Sequence, residues 1–300
     1  MATMSADAMS AGDPYVWWGF LDRAAITRYV MGRRTPDGGY CFYRTPQWSV
    51  EEPNALDTLA ALESLQLLGV DIPEPRQTAD WLRGLQGRNG AYPTLTIGWA
   101  ALRALNRLAA QPKYSPEHWL YSRFETLCDC DRPRDWRRAI TDAVHLCELL
   151  RLRRRVIRSA ERDSIVALLD AARAADGGWA SPGSDLETTA TGLRVAQLVN
   201  PHCRPDPPLA AFLGACEDEQ LGLRLAPDAA TTSVGALWGG LVLSHAAGWR
   251  LRYLGAVEKQ LAMLQRPDGG LGARHRAVSG LQSTWLGLQA ASLLGRLREE

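Results

Sequence analysis

The stretch Asp185-Leu186-Glu187-Thr188-Thr189-Ala190 places two acids one residue apart where a helical pattern begins. Two carboxyls held together in an apolar setting compete to ionise, because burial and the neighbouring charge raise the pKa of one of them. That one stays protonated and can give its proton away, which is general-acid chemistry, with Glu187 as donor and Asp185 orienting it. The same residues admit another reading. Ser184-x-x-Glu187 has the spacing of a capping box, in which Glu187 reaches back to free N–H groups, and Asp185 suits the positive end of the helix dipole. Asp57, one turn into the pattern that follows Glu51-Glu52-Pro53, is a rival acid. It is either a third catalytic candidate or part of a solvated first-turn patch with Glu51 and Glu52.

Other side chains could bind. Trp99, Trp238 and Trp285 each fall in a helical segment rich in small residues, and aromatic faces can stabilise cations and bury apolar chains. Core packing is the alternative for each of them. Arg274, His275 and Arg276 share one loop after a Gly-Gly pair, and guanidinium forks fit phosphate oxygens, unless the loop is simply solvated. Metal patterns are weak. Cys128, Asp129, Cys130, Asp131 and Asp135 match no magnesium motif, and no Asp-Asp-x-x-Asp occurs. Asp142, His145 and Cys147 would spread over different faces of one helix. The six cysteines form no Cys-x-x-Cys pair and are predicted to be reduced thiols. No cofactor is expected.

The elements that position these residues come from a repeat. The first Gly of "TPDGGY" is residue 38, that of "AADGGW" is 177 and that of "RPDGGL" is 269. The gaps of 139 and 92 residues are near multiples of about 46. The missing beats fall close to "LQGRNGAY" (85–92), "CDCDRPRD" (128–135) and "DEQLGLRL" (218–225). Each beat reads as an amphipathic helix, a turn, a polar loop and a second helix dense in Ala, Gly, Ser and Thr. Second helices are predicted over 54–69, 96–110, 139–152, 187–199, 233–248 and 282–295. No useful period-2 segment appears. The end repeats carry "VWWGF" and "QSTWLGLQAASLL", too apolar for the exposed ends of an open stack. Closure is therefore predicted: an all-α, α6/α6 toroid with the small-residue helices inside, formed by one domain over 13–300 behind a flexible segment, 1–12. In such a ring residues 51, 52, 57, 185 and 187 gather at one end.

Composition excludes some partners. With 34 basic and 33 acidic residues the chain has no electrostatic case for nucleic acid. No apolar run approaches the ~20 residues of a membrane span, and no secretory signal is visible, so a cytoplasmic location is expected.

The segment "LQRPDGG" followed by "GLQSTWLGLQAASLLG" resembles the repeat of squalene–hopene and related terpenoid cyclases, and the β subunits of protein prenyltransferases share that toroid. Asp185 to Ala190 is similar to the Asp-x-Asp-Asp-Thr-Ala motif of class II cyclases, with Glu187 in the proton-donor place and Thr188 where the last Asp stands. The resemblance implies an isoprenoid ligand, cyclisation begun by protonation from Glu187 beside Asp185, and a cavity bordered by Thr188 and the three tryptophans. Likeness to prenyltransferases implies instead that Arg274, His275 and Arg276 contact an isoprenyl diphosphate, with Mg²⁺ only as its counter-ion. Ser279 and Leu281 stand where the zinc motif of those enzymes needs Asp and Cys, so zinc is not implied. A metal-free prenyltransferase and a non-catalytic binding toroid are the alternative functions. Class II cyclases usually place their site between two helical domains, so one ring would need a partner chain, a homodimer or a cavity of its own.

Overall fold

The computed structural model describes residues 19–42, 44–45, 50–128, 135–180 and 183–299. The predicted flexible segment 1–12, and Asp129, Cys130 and Asp131 of the third beat, lie outside these. Among the described residues, six outer helices are α1 (Arg23–Met31), α3 (Pro75–Gly84), α5 (Glu117–Cys128), α7 (Ser159–Ala172), α9 (Pro207–Cys216) and α11 (Leu254–Leu264). They alternate with α2 (Ala55–Leu67), α4 (Leu95–Arg107), α6 (Trp136–Leu152), α8 (Leu186–Val199), α10 (Val234–Ala247) and α12 (Leu281–Glu299). The only ladders among the described residues are two-residue pairs, β1 (Arg44–Thr45) with β2 (Val50–Glu51) and β3 (Glu217–Asp218) with β4 (Gly222–Leu223).

The even helices pack in the order α2, α4, α6, α8, α10, α12, and α12 returns to α2. Each odd helix packs on the even helix that follows it. The ring is closed, as the apolar end repeats required. Small residues let the inner layer crowd. A Cβ on Gly239 of α10 would lie 2.5 Å from the Leu186 carbonyl at the start of α8, and one on Gly98 of α4 would strike the Trp119 ring of α5.

The turn glycines lock one repeat to the next. Gly38, Gly90, Gly177, Gly222 and Gly269 all hold left-handed φ between 70° and 99°. Each presses on backbone at the start of the next outer helix: Gln77, Ser115, Pro208, Val257 and, for Gly269, Ala25 of α1. The last turn thus closes onto the first helix with the same contact that joins the repeats in between. At four of these turns the side chain four residues before the glycine adds a clamp. Gln86 donates to the Tyr114 carbonyl and accepts from its N–H, both at 2.9 Å. Gln265 does the same to Asp22, at 3.0 and 2.8 Å, across the closure. Where Arg replaces this Gln, the clamp becomes ionic: Arg34 to Glu74 at 2.8 Å and Arg173 to Asp206 at 2.6 Å.

Caps set where the inner helices start. Asn54, Thr94, Asp135, Asp185 and Ser233 each accept the N–H three residues on, at 2.8–3.1 Å. Asp135 starts α6 at residue 136, ahead of the predicted 139. A threonine behind the cap ties helix to turn: Thr58, Thr189 and Thr284 hydroxyls accept the N–H of Tyr40, Trp179 and Leu271 at 3.0, 3.1 and 3.0 Å. Because each hairpin repeats the same path, all six inner helices begin at one end of the ring.

Gly269→Ala is expected to destabilise strongly. Its Cβ would sit 2.2 Å from the Ala25 carbonyl at a φ of 95°. Strain and overpacking together cost about 3 kcal/mol. Gly84→Ala, in α3 with open space around its Cβ, should hold or raise the melting temperature. Thermal melts of the two variants check this.

Candidate active site

At the helix-start end, Asp185 caps α8. Its carboxylate accepts the Thr188 N–H at 2.8 Å and hydroxyl at 2.9 Å, and pairs with Arg137 of α6 at 2.8 Å. The Asp185 side chain is buried, whereas that of Arg137 is 61% exposed. Glu187 follows on the next turn position. It does not cap the helix. Ser184, the expected N-cap, instead donates to Asp176 of the Gly-Gly turn at 2.9 Å, and the first helical N–H, of Leu186, is taken by the Leu225 carbonyl at 3.1 Å. The capping-box reading of Ser184 and Glu187 is thereby overturned, because the cap has moved one residue to Asp185. Ser279 repeats the device, donating to Asp268 at 2.5 Å.

Freed from capping, the Glu187 carboxyl makes no hydrogen bond or ion pair among the described residues and rests against Gly235 of α10, where an added Cβ would come within 2.0 Å of Oε2. It remains open to solvent, yet the surrounding protein crowds it. Burial raises its pKa, the Asp185 charge raises it further, and Arg137 opposes both. An unengaged carboxyl with a raised pKa has the chemistry a general acid requires.

Asp57 is arranged differently. At 2% exposure it is no solvated patch, which corrects that reading. Asn54 Nδ2 donates to it at 2.7 Å and Gln282 Nε2 of α12 at 3.2 Å, so it anchors α2 to α12 across the closure.

Below this rim the tryptophans form a tier. Trp99, Trp238 and Trp285 are each the fifth residue of α4, α10 and α12. Trp99 is fully engaged: His145 stacks on it at 4.1 Å, Arg103 lies over it at 5.1 Å, and its indole donates to Glu148 at 2.8 Å. Arg103 also reaches the Trp285 ring at 5.8 Å, across the front of α2. Trp238 is buried, and its indole N–H has no partner among the described residues. Thr188, held by Asp185, is buried beside the rim. Arg274, His275 and Arg276 stay exposed on the loop before α12, at the same end of the ring.

Deeper lies a charged network that the sequence reading missed. Glu63, Arg103 and Arg194 are the ninth residues of α2, α4 and α8. Arg103 bridges Glu63 at 3.2 Å and Glu148 at 3.3 Å, Arg107 binds Glu63 at 2.8 Å, and Arg194 pairs closely with Glu148. Burial works to raise the Glu148 pKa, but Arg194, Arg103 and the Trp99 indole outweigh it and hold the carboxyl below its usual range. Arg194, on an inner helix, is 26% solvent-accessible, and burial works to lower its pKa while Glu148 opposes. The helix-wheel spacing that puts residues two, five and nine of an inner helix on one stripe was available in the sequence. Arg137, the second residue of α6, falls on the same stripe as Glu187, the second of α8.

Among the described residues no group of three or more His, Cys, Asp or Glu is placed to hold a metal. Asp142 faces Arg138 at 3.8 Å, His145 stacks on Trp99, and the Cys147 thiol is buried with its pKa pushed up to about 12. Among the described residues no helix is long and apolar enough to cross a membrane.

His145 gives a pH test. Burial first, with Arg103 and Arg194 adding and Glu148 opposing, pushes its pKa down to about 4 from 6.5. Between those values the unfolded chain binds the proton and the folded one does not. Stability therefore falls as pH drops from 6.5 towards 4, by roughly 3 kcal/mol. Denaturant unfolding at pH 7 and pH 5 should show about 2 kcal/mol of this loss, and His145→Asn should flatten the slope.

No protein-family model matches the chain, and no curated protein sequence does. Solved structures do. A type II terpene cyclase, MstE from Scytonema, solved as a variant in complex with geranylgeranyl dihydroxybenzoate, shares 13% identity at a TM-score of 0.59, over 92% of this chain and 97% of that one. The apo form of that cyclase gives 0.56 at 13% identity over the same shares. A glycosidase variant gives 0.57 at 15% identity, over 93% of this chain and 98% of that one. At these identities the likeness is one of fold: the chain is an α/α toroid of the kind found in a type II terpene cyclase and in a glycosidase.

Proposed function

We propose that the protein is a type II terpene cyclase-like enzyme in which Glu187 protonates an isoprenoid alkene at the mouth of the ring. The observation that carries this reading is the Glu187 carboxyl, unpartnered among the described residues and raised in pKa beside the Arg137-bound Asp185. Proton transfer from Glu187 to the terminal alkene carbon leaves a tertiary carbocation, which the next double bond attacks to close a ring. A later C–H loses its proton to end the sequence, and Glu187 regains one from solvent. Burial of Glu187 and the charge of the neighbouring Asp185, itself paired with Arg137, both favour the protonated form of Glu187. Asp185 and Arg137 act through Glu187; Asp57, bound by two amides, anchors helices. Trp238 and Trp285 are the walls assigned to the ligand, since Trp99 is already engaged by His145, Arg103 and Glu148.

The cyclase matched in fold is covered over 97% of its length, which supports a site within a single ring without a second helical domain. Solvent exposure of Arg274, His275 and Arg276 leaves the prenyltransferase reading without a further observation in its favour.

Glu187→Gln should abolish turnover of geranylgeranyl- or farnesyl-bearing substrates, by ~100-fold or more, while the melting temperature stays within a few degrees. Wild-type activity should fall as pH rises through a value above the ordinary carboxylate range. Product analysis by mass spectrometry and a pH–rate profile check both. Normal turnover by the variant overturns the proposal; a wild-type chain that binds isoprenoid and never converts it makes the ring a binding toroid.

A further inference from the structure

Four inner helices end in the same reversal. Just past α2, α4, α6 and α10, Gly69, Ala109, Arg154 and Gly248 take left-handed φ of 68°, 50°, 54° and 61°. The next N–H turns back to a carbonyl five residues earlier: Val70 to Leu65, Ala110 to Leu105, Arg155 to Leu150 and Trp249 to Ser244, at 2.8–2.9 Å. Glycine enters that conformation without steric cost, so an arginine there is the strained choice. Its side chain is exposed.

Arg154 belongs to a patch. Loops 153–158, 200–206 and 248–253 leave the neighbouring helices α6, α8 and α10 at the end opposite the acid rim, and they hold seven arginines and one acid, Asp206. Glu117, Glu161 and Glu217 neutralise Arg155, Arg158 and Arg252, and Arg173 takes Asp206. Four charges are left over. Arg153 reaches the neutral Gln111 side chain at 3.1 Å, and Arg204 the Pro201 and Cys203 carbonyls. Arg154 and Arg250 have no hydrogen-bond or ion-pair partner for their side chains among the described residues. The carbonyl ends of the helices favour cations nearby, but that does not account for the apolar side chains standing among them. Val156, in the middle of the first loop, is 77% exposed, and Trp249, beside Arg250, is 36% exposed.

We propose that this end of the ring docks on an anionic lipid surface. Arg153, Arg154, Arg204 and Arg250 meet the lipid phosphates, and Val156 and Trp249 enter the boundary between head groups and acyl chains. Several loops contribute, so attachment is peripheral and needs no spanning helix. A nucleic acid would be met by aromatic faces set between the cations; between Arg155 and Arg158 the protruding side chain is aliphatic. The inference goes beyond the cyclase reading and does not rest on it. Docked this way, the ring turns its acid rim away from the lipid.

The test is flotation of the full chain with vesicles of neutral phosphatidylcholine and with vesicles carrying about 30% phosphatidylglycerol. The chain should partition at least ~10-fold more strongly to the anionic vesicles, and raising salt from ~0.05 to ~0.5 M should release most of it. Arg154→Gly should weaken this binding about 5-fold while the melting temperature holds or rises, because glycine relieves the strained φ. Adding Arg250→Gln should bring the loss to about 25-fold. Val156→Ser should weaken binding at both salt concentrations, since apolar insertion is not screened. Arg88→Gln, exposed on the turn before α4 at the helix-start end, should change nothing. Equal partitioning to the two vesicle types, wild-type binding by the Arg154→Gly, Arg250→Gln double variant, or tighter capture of duplex RNA or poly-glutamate than of the anionic vesicles would overturn the proposal. Glu187→Gln should bind the vesicles as the wild type does, so this proposal and the proton-donor assignment fail separately.

Discussion

Closure of the ring is the constraint on which the rest depends. The contact between Gly269 and Ala25 repeats, across the chain ends, the turn-glycine contact that joins the other described repeats, and the Gln265 clamp on Asp22 repeats that of Gln86 on Tyr114. An open stack of the same hairpins would expose the apolar flank of α12 and leave α2 without its neighbour. Closed, the inner helices share one lumen, start at one end, and point their second, fifth and ninth residues at each other. Everything chemical about the protein follows from that shared stripe.

The lumen is not a uniform apolar cavity. An acid rim, an aromatic tier and a charged network succeed one another along the helix axes, and each modifies the next. Arg103 ties the lower two together by lying against Trp99 and Trp285 while bridging Glu63 and Glu148. Arg137 polarises the rim by pairing with Asp185 and leaving Glu187 alone. On the proposed reading, a carbocation formed near the rim is separated from the Arg103, Arg107 and Arg194 guanidiniums, whereas one formed among them would be repelled. The ordering of the tiers therefore matters as much as their composition.

Much of the architecture was legible in the sequence. The Gly-Gly turns marked the repeats because only glycine accepts both the left-handed φ and the approach of the next helix, and the small-residue helices marked the inner layer. What the sequence concealed was set by contacts between repeats. Ser184 looked like an N-cap, but the Asp176 side chain recruits it into the turn, and the cap passes to Asp185. Asp57 looked solvated until α12 brought Gln282 over it. Arg103, Glu148 and Arg194 went unread, since one helix taken alone does not show that its polar residues will meet those of its neighbours around the ring.

The protonation state of Glu187 tests the central claim most directly. Infrared difference spectra between the wild type and Glu187→Gln, recorded across a pH titration, isolate its carboxyl band. Crowding by the surrounding protein, with the Asp185 side chain alongside, predicts that Glu187 remains protonated at a pH where a free glutamate, at about 4.3, is already ionised. A carboxyl that titrates at or below that ordinary value would contradict the account.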